Sequence, residues 1–180
     1  MQLSIDGMVG GKEGRTHFNW DDEVRQYSIA NAANVECILL GSKTAAGFIP
    51  HWKSVADNPQ NSDFEFGKLV TGIRKVVFSR TLKKSEWPDT TMANGEIADS
   101  VSQLKKQAGE ELLVYGGTSF VASLIDCDLI DEYHLLVNPV LLGTGQTIFS
   151  RLKETLPLTL VKSRTFSCGT VLLAYEPFRG

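Results

Sequence analysis

The sequence predicts a three-layer α/β protein, with helices on a mostly parallel sheet and antiparallel strands at its C-terminal end. Three observations predict it. Short β-type runs alternate with helical patterns through most of the chain. Three of the runs end on turns rich in glycine, hydroxyl and cationic residues: Gly41-Ser42-Lys43-Thr44, Ser79-Arg80-Thr81 and Gly116-Gly117-Thr118-Ser119. An open parallel sheet binds ligands at such strand ends, and right-handed crossovers let the three turns share one edge. Finally, Leu158 to Phe166 and Val171 to Tyr175 alternate about a Ser167-Cys168-Gly169-Thr170 turn, as a hairpin does.

Composition narrows the class. The 180 residues fit one domain, 1–180, with room for a sizeable core. A hydrophobic share of 42% and a charged share of 22% are those of a globular protein. A formal net charge of -3 argues against nucleic-acid binding through a general basic surface. Cys37, Cys127 and Cys168 lie far apart with no C-x-x-C, which fits reduced thiols and a cytoplasmic protein. No apolar run reaches membrane-spanning length, and the N-terminus lacks a signal-peptide layout, so no membrane partner is expected. No grouping has metal-ligand spacing, and no G-x-S-x-G nucleophile motif occurs.

Taken in order, Met1 to Ile5 reads as a short strand, followed by the Asp6-Gly7 turn and a loop through Val9-Gly10-Gly11. His17 falls in that loop region. Asp21 or Asp22 is a natural N-cap for a helix of about three turns, with Val24, Tyr27, Ile29, Ala30 and Ala33 on its buried side. Val35 to Leu40 is a strand running into Gly41-Thr44. Ala45 to Lys53 holds Phe48, Ile49, Pro50, His51 and Trp52, with His51-Trp52 placed after a short helix. Trp52 either packs on a planar substrate ring or closes the core. Ser54 to Ser62 reads as a loop, and Phe64 to Ile73 as a short helix. Arg74 to Ser79 is the next strand, and Thr90 to Ala93 a short one. Ile97 to Ala108 has helical spacing that Gly109 can end.

Leu112 to Tyr115 is an apolar strand that runs into Gly116-Gly117. Phe120, Val121, Leu124 and Ile125 then share a helical face. Paired glycines before a helix N-terminus leave backbone N–H groups open to an anion, and Thr118 or Ser119 can cap the helix and offer a hydroxyl. The plain alternative is a tight turn with an N-cap. Glu132 to Val137 is a strand that Asn138-Pro139 stops. His134, within it, is expected to be a structural or interface residue.

Several of these stretches carry a resemblance. Tyr115-Gly116-Gly117, Leu129-Ile130-Asp131-Glu132 and Pro139-Val140-Leu141-Leu142-Gly143-Thr144-Gly145 resemble the reductase domain of bacterial riboflavin biosynthesis. That domain belongs to the dihydrofolate-reductase-like family. Leu3-Ser4-Ile5-Asp6-Gly7 is similar to the family's first-strand signature, Leu40-Gly41-Ser42-Lys43-Thr44 to its "L-L-G-R-x-T", and Ser79-Arg80-Thr81-Leu82 to its "S-R-T-L". Ser42 stands where arginine is common.

The resemblance implies a dihydrofolate-reductase-like fold and an NADPH-dependent reductase. It implies NADPH contacts at Leu3, Val9, Gly41, Ser42, Lys43, Thr44, Ser79, Arg80, Thr81, Gly116, Gly117, Thr118 and Ser119. It places Ser4, Asp22 and Trp52 on the substrate side. An ungapped match sets Arg25 at the position of the proton-relaying acid of dihydrofolate reductases, and a three-residue shift sets Asp22 there. Asp6 or an ordered water is the expected proton donor. The implied substrate is a ribosylaminopyrimidine, dihydrofolate or another small heterocyclic or sugar-linked molecule. The alternative is a nucleotide-binding protein without turnover. Apolar sequence near one sheet edge leads us to expect a homodimer.

Overall fold

A computed structural model describes residues 1–11, 18–85, 87–107 and 111–179. His17 and the Ala108-Gly109 helix end lie outside the described residues. Elements run β1 (Gln2–Ser4), α1 (Asp22–Ala32), β2 (Val35–Gly41), α2 (Ser42–Ala56), α3 (Phe64–Gly72), β3 (Arg74–Phe78) and β4 (Thr90–Ala93). They continue with α4 (Ile97–Gln107), β5 (Glu111–Gly116), α5 (Thr118–Asp126), β6 (Tyr133–Asn138), β7 (Leu158–Thr165) and β8 (Val171–Pro177). The class is α/β, as the alternating pattern predicts. Among the described residues, no helix is long and apolar enough to cross a membrane.

The strands form two four-stranded sheets, and the chain divides into two compact units, Met1–Val24 with Val121–Gly180, and Arg25–Phe120. In the Arg25–Phe120 unit the sheet order is β4-β3-β2-β5, and every pairing is parallel. Its middle strands are the continuous apolar kind that such sheets need. Cys37, Ile38, Leu39, Leu40, Val76 and Val77 are all buried. Burial pushes the Cys37 thiol up from its ordinary value, so it stays protonated and acts as a small apolar side chain. Lys75 is buried in β3, where its ammonium donates to the Thr71 and Ile73 carbonyls at 2.9 and 2.6 Å and caps the end of α3.

The other unit holds a mixed sheet, order β1-β6-β8-β7, with β1 parallel to β6 and the rest antiparallel. The C-terminal hairpin is where the alternation puts it. Its turn closes through Phe166 N–H to Thr170 O and Gly169 N–H to Phe166 O, both at 2.9 Å. β7 is the sheet's edge and is exposed along nearly its whole length. Lys162 and Arg164 place charges along that edge.

One boundary differs from expectation. The short helix that was to end before His51, and the loop from Ser54, are one helix: α2 runs unbroken through Pro50 to Ala56. Proline removes a single internal hydrogen bond, and packing of α2 on α3 offsets that loss. Trp52 stacks edge-on against the buried Phe66 with ring centroids 4.8 Å apart.

Candidate functional site

Three of the turns singled out in the sequence emerge at the carboxyl edge of the parallel sheet. β2 lies between β3 and β5, with Gly41 level with Phe78 and Leu40 level with Gly116. Gly41 is the N-cap of α2 and makes no side-chain capping bond, and the first turn of α2 holds no acid. The positive end of this helix is therefore uncompensated by side chains. Lys43 is exposed there, with no ion pair to another described residue.

The Gly116-Gly117 turn meets this helix start directly. A Cβ on Gly117 would lie 2.5 Å from Thr44 Oγ1, and one on Gly41 would lie 3.1 Å from Phe120 Cβ. Side chains are excluded on both sides, which leaves bare backbone for an anion to approach. Gly116 adopts φ +123, and its peptide bond to Gly117 is cis. Thr118 and Ser119 begin α5 at the same place.

Arg80 stands in a braced turn just beyond β3. Ser79 N–H continues the β3–β4 pairing by donating to Ala93 O at 3.1 Å. Ser79 Oγ accepts from the N–H groups of Thr81 at 3.2 Å and Leu82 at 2.9 Å. The Asn94 amide, just past β4, donates to Ser79 O at 2.8 Å and to Leu82 O at 2.6 Å. The Arg80 side chain is exposed, and no other described residue holds it by hydrogen bond or ion pair. Thus a fixed turn carries an open cation.

The second group of residues lies in the other unit, after β1. Leu3 and Ser4 are buried. Ser4 Oγ donates to Asp6 Oδ1 at 2.6 Å and accepts from Met8 N–H at 2.9 Å. The Asp6 carboxylate also accepts from Leu142 N–H at 3.2 Å and Gly143 N–H at 2.7 Å. These bonds, Ser4 first and then Leu142 and Gly143, hold the Asp6 carboxyl down at about 2. An acid so placed is ionised at neutral pH. The geometry makes Asp6 an anchor for the 142–143 turn.

That turn reaches the loop after Asp6 as well. Val9 N–H donates to Gln146 O at 2.8 Å, and Gln146 N–H to Gly10 O at 3.1 Å. Gly145 has no room for a side chain, since a Cβ would lie 2.1 Å from Gly10 O. The glycines at 143 and 145 in the resemblance motif therefore have a physical reason. Gly143 adopts φ +71 and feeds its N–H to Asp6, and Gly145 permits backbone contact with the Val9-Gly10 loop.

The remaining candidates sit elsewhere. Asp21, not Asp22, caps α1, its Oδ1 accepting from Val24 N–H at 2.9 Å. Asp22 is exposed in the first helical turn. Arg25 is bound to Asp63 at 2.6 Å. Trp52 belongs to an aromatic cluster with Phe48, Phe66 and Tyr115. Burial there pushes the Tyr115 phenol up, so it stays neutral. His134 Nε2 pairs with Glu132 Oε1 at 2.6 Å, and no metal-binding group of His, Cys, Asp or Glu is found among the described residues.

Sequence reasoning missed Asn94 and the backbone N–H groups of Leu142 and Gly143. Bonds that join positions more than a hundred residues apart leave no local pattern.

The sequence matches the RibD C-terminal domain family over residues 1–172. The chain belongs to that family. Uncharacterized protein YyaP of Bacillus subtilis is 31% identical to it, over 98% of this chain and 92% of that protein. Among solved structures, a Shewanella sp. PV-4 protein named for riboflavin biosynthesis aligns with TM-score 0.78 and 21% identity, covering 99% of this chain and 97% of that one. Dihydrofolate reductase from Enterococcus faecalis, complexed with NADP(H), aligns with TM-score 0.64 and 9% identity, covering 98% of this chain and 92% of that one. At these identities the two structures speak to the fold, which is dihydrofolate-reductase-like. RibD C-terminal domains form a reductase family.

Proposed function

We propose that this RibD C-terminal domain is an NADPH-dependent reductase that delivers a hydride to a C=N or C=O bond of a small heterocyclic or sugar-linked substrate. The observation that carries the reading is the convergence of three bare, cationic or hydroxyl-bearing turns at one edge of the parallel sheet. The open start of α2, the Gly41 and Gly117 cradle and the cations Lys43 and Arg80 fit a ligand with several phosphates. On this reading Gly41–Thr44 and Gly116–Ser119 hold the pyrophosphate, and Ser79, Arg80 and Thr81 hold the ribose 2′-phosphate. Arginine suits that phosphate because its planar fork makes paired, charge-assisted hydrogen bonds. Bound NADPH supplies the hydride.

The chain's own part is orientation. The Asp6 anchor and the Gly143–Gly145 turn fix the loop of Met8 and Val9, which the family places beside the nicotinamide and the substrate. With Asp6 ionised, the proton comes from water. A pyrimidine-type substrate fits better than dihydrofolate, because α1 carries no buried acid. Its Arg25 is paired with Asp63, while Asp22 is exposed and Glu23 is bound to the Ser167 N–H.

The reading is tested by titrating the purified protein with NADPH and NADH under nicotinamide fluorescence, then screening acceptors for NADPH oxidation. Binding of NADPH well ahead of NADH, with oxidation by a pyrimidine or related acceptor, is expected. Binding of neither nucleotide would overturn it, and binding with no oxidation by any acceptor would leave a nucleotide-binding protein. We further propose a homodimer through the β7 edge, where Leu160 and Val161 are 52% and 53% exposed. A monomeric mass by light scattering at micromolar concentration would remove that claim.

A further inference from the structure

We infer that Asn94 is a positioning residue for cofactor choice, holding the Ser79–Leu82 turn in the one shape that presents Arg80 to a ribose 2′-phosphate. This rests on the NADPH reading above and extends it to a residue outside the strand-end turns. The geometry carries it. Both hydrogen-bond partners of the Asn94 side chain are carbonyl oxygens, Ser79 O and Leu82 O. Only an amide NH2 can serve both, which fixes the orientation of the side chain. Those carbonyls begin and end the turn that contains Arg80, so one side chain closes it.

The turn's other bonds fit the same role. Ser79 Oγ is engaged by the Thr81 and Leu82 N–H groups. Its hydroxyl also lies 3.4 Å from Thr81 Oγ1, so the two side chains share one more bond within the turn. The carbonyl dipoles of Ser79 and Leu82 are aimed at Asn94, and the Arg80 guanidinium carries the turn's only charge. Without the brace, Arg80 would sample many positions, and ordering them on binding would weaken its grip on the phosphate. NADH has no 2′-phosphate, so its affinity does not depend on where Arg80 stands.

The test compares NADPH and NADH dissociation constants for the full chain as wild type, Asn94→Ala, Asn94→Asp, Asn94→Gln, Arg80→Ala and the Asn94→Ala/Arg80→Ala pair. Asn94→Ala is expected to weaken NADPH about tenfold and leave NADH unchanged. Asn94→Asp, which sets a carboxylate against two carbonyl oxygens, loses at least as much. Asn94→Gln keeps the donor and recovers part of the loss. In the Arg80→Ala background, Asn94→Ala has no further effect. Equal weakening of both nucleotides would show a merely structural role and overturn the inference. An unchanged NADPH affinity in Asn94→Ala and Asn94→Asp, with Arg80→Ala weakened, would overturn it too and leave the NADPH reading standing. Wild-type protein that binds neither nucleotide would overturn both.

Discussion

Two turns in this molecule are built alike and end differently. The Ser4–Met8 turn and the Ser79–Leu82 turn each close on a serine hydroxyl that accepts backbone N–H groups. Each is then braced from a distant segment, by the Leu142-Gly143 N–H groups in one and by the Asn94 amide in the other. In the first, the charged residue is the thing braced. Three hydrogen bonds consume the Asp6 carboxylate. In the second, the brace takes backbone carbonyls and leaves the Arg80 guanidinium open. A charge whose partners are internal is architecture, while an open charge on a fixed turn is available to a ligand. That difference is why we assign Arg80 to the cofactor and Asp6 to the scaffold.

The largest expected effect attacks the scaffold turn. Gly145→Ala puts a Cβ against Gly10 O, a backbone atom that moves only if the loop moves. A destabilisation of about 3 kcal/mol is expected, read as a melting temperature lowered by roughly 6–12 °C. An unchanged melting curve would show that the Gly10 and Gly145 backbones do not meet.

A smaller effect comes from the open side. Lys43→Ala should weaken NADPH and NADH alike, by about three- to tenfold at low salt, because the pyrophosphate is common to both. The loss should shrink as salt screens the exposed charge. A loss confined to NADPH would move Lys43 to the 2′-phosphate and break the division of roles drawn above.

The smallest effect at neutral pH sharpens the reading of Asp6. Its folded-state value, about 2, lies below that of a free aspartate. The sign follows: the ionised group stabilises the fold above the unfolded value, near 3.9, and that contribution is lost as pH falls through about 2. Asp6→Asn should therefore flatten the acid limb of the melting temperature against pH between about 4 and 2. It should leave the shape of any turnover profile between pH 5 and 8 unmoved. A pH limb in that range that vanishes in Asp6→Asn would restore Asp6 as a proton donor.

Much of the fold was legible because it is written locally. β2, β3 and β5 are apolar runs with punctuation at their ends, and the C-terminal hairpin alternates about a glycine turn. The strand-end turns were legible for the same reason, and their family pattern supplied the roles. What escaped was set by tertiary partners. The helix expected to end before His51 continues through Pro50 as α2, because α3 packs on it. The bonds from Leu142 and Gly143 to Asp6 join positions 136 and 137 apart and left no local signal. Asn94 drew no reading from the sequence, because its two carbonyl partners lie 12 and 15 positions away.

The most direct test of the account is the effect of Arg80→Ala on the two nicotinamide nucleotides. NADPH affinity should fall by about thirtyfold or more, the scale of a lost charge-assisted contact to a phosphate, while NADH affinity stays as it was. The two nucleotides would then bind almost equally. If Arg80→Ala left the preference for NADPH intact, the open cation beyond β3 would not be the 2′-phosphate site, and the central assignment would be wrong.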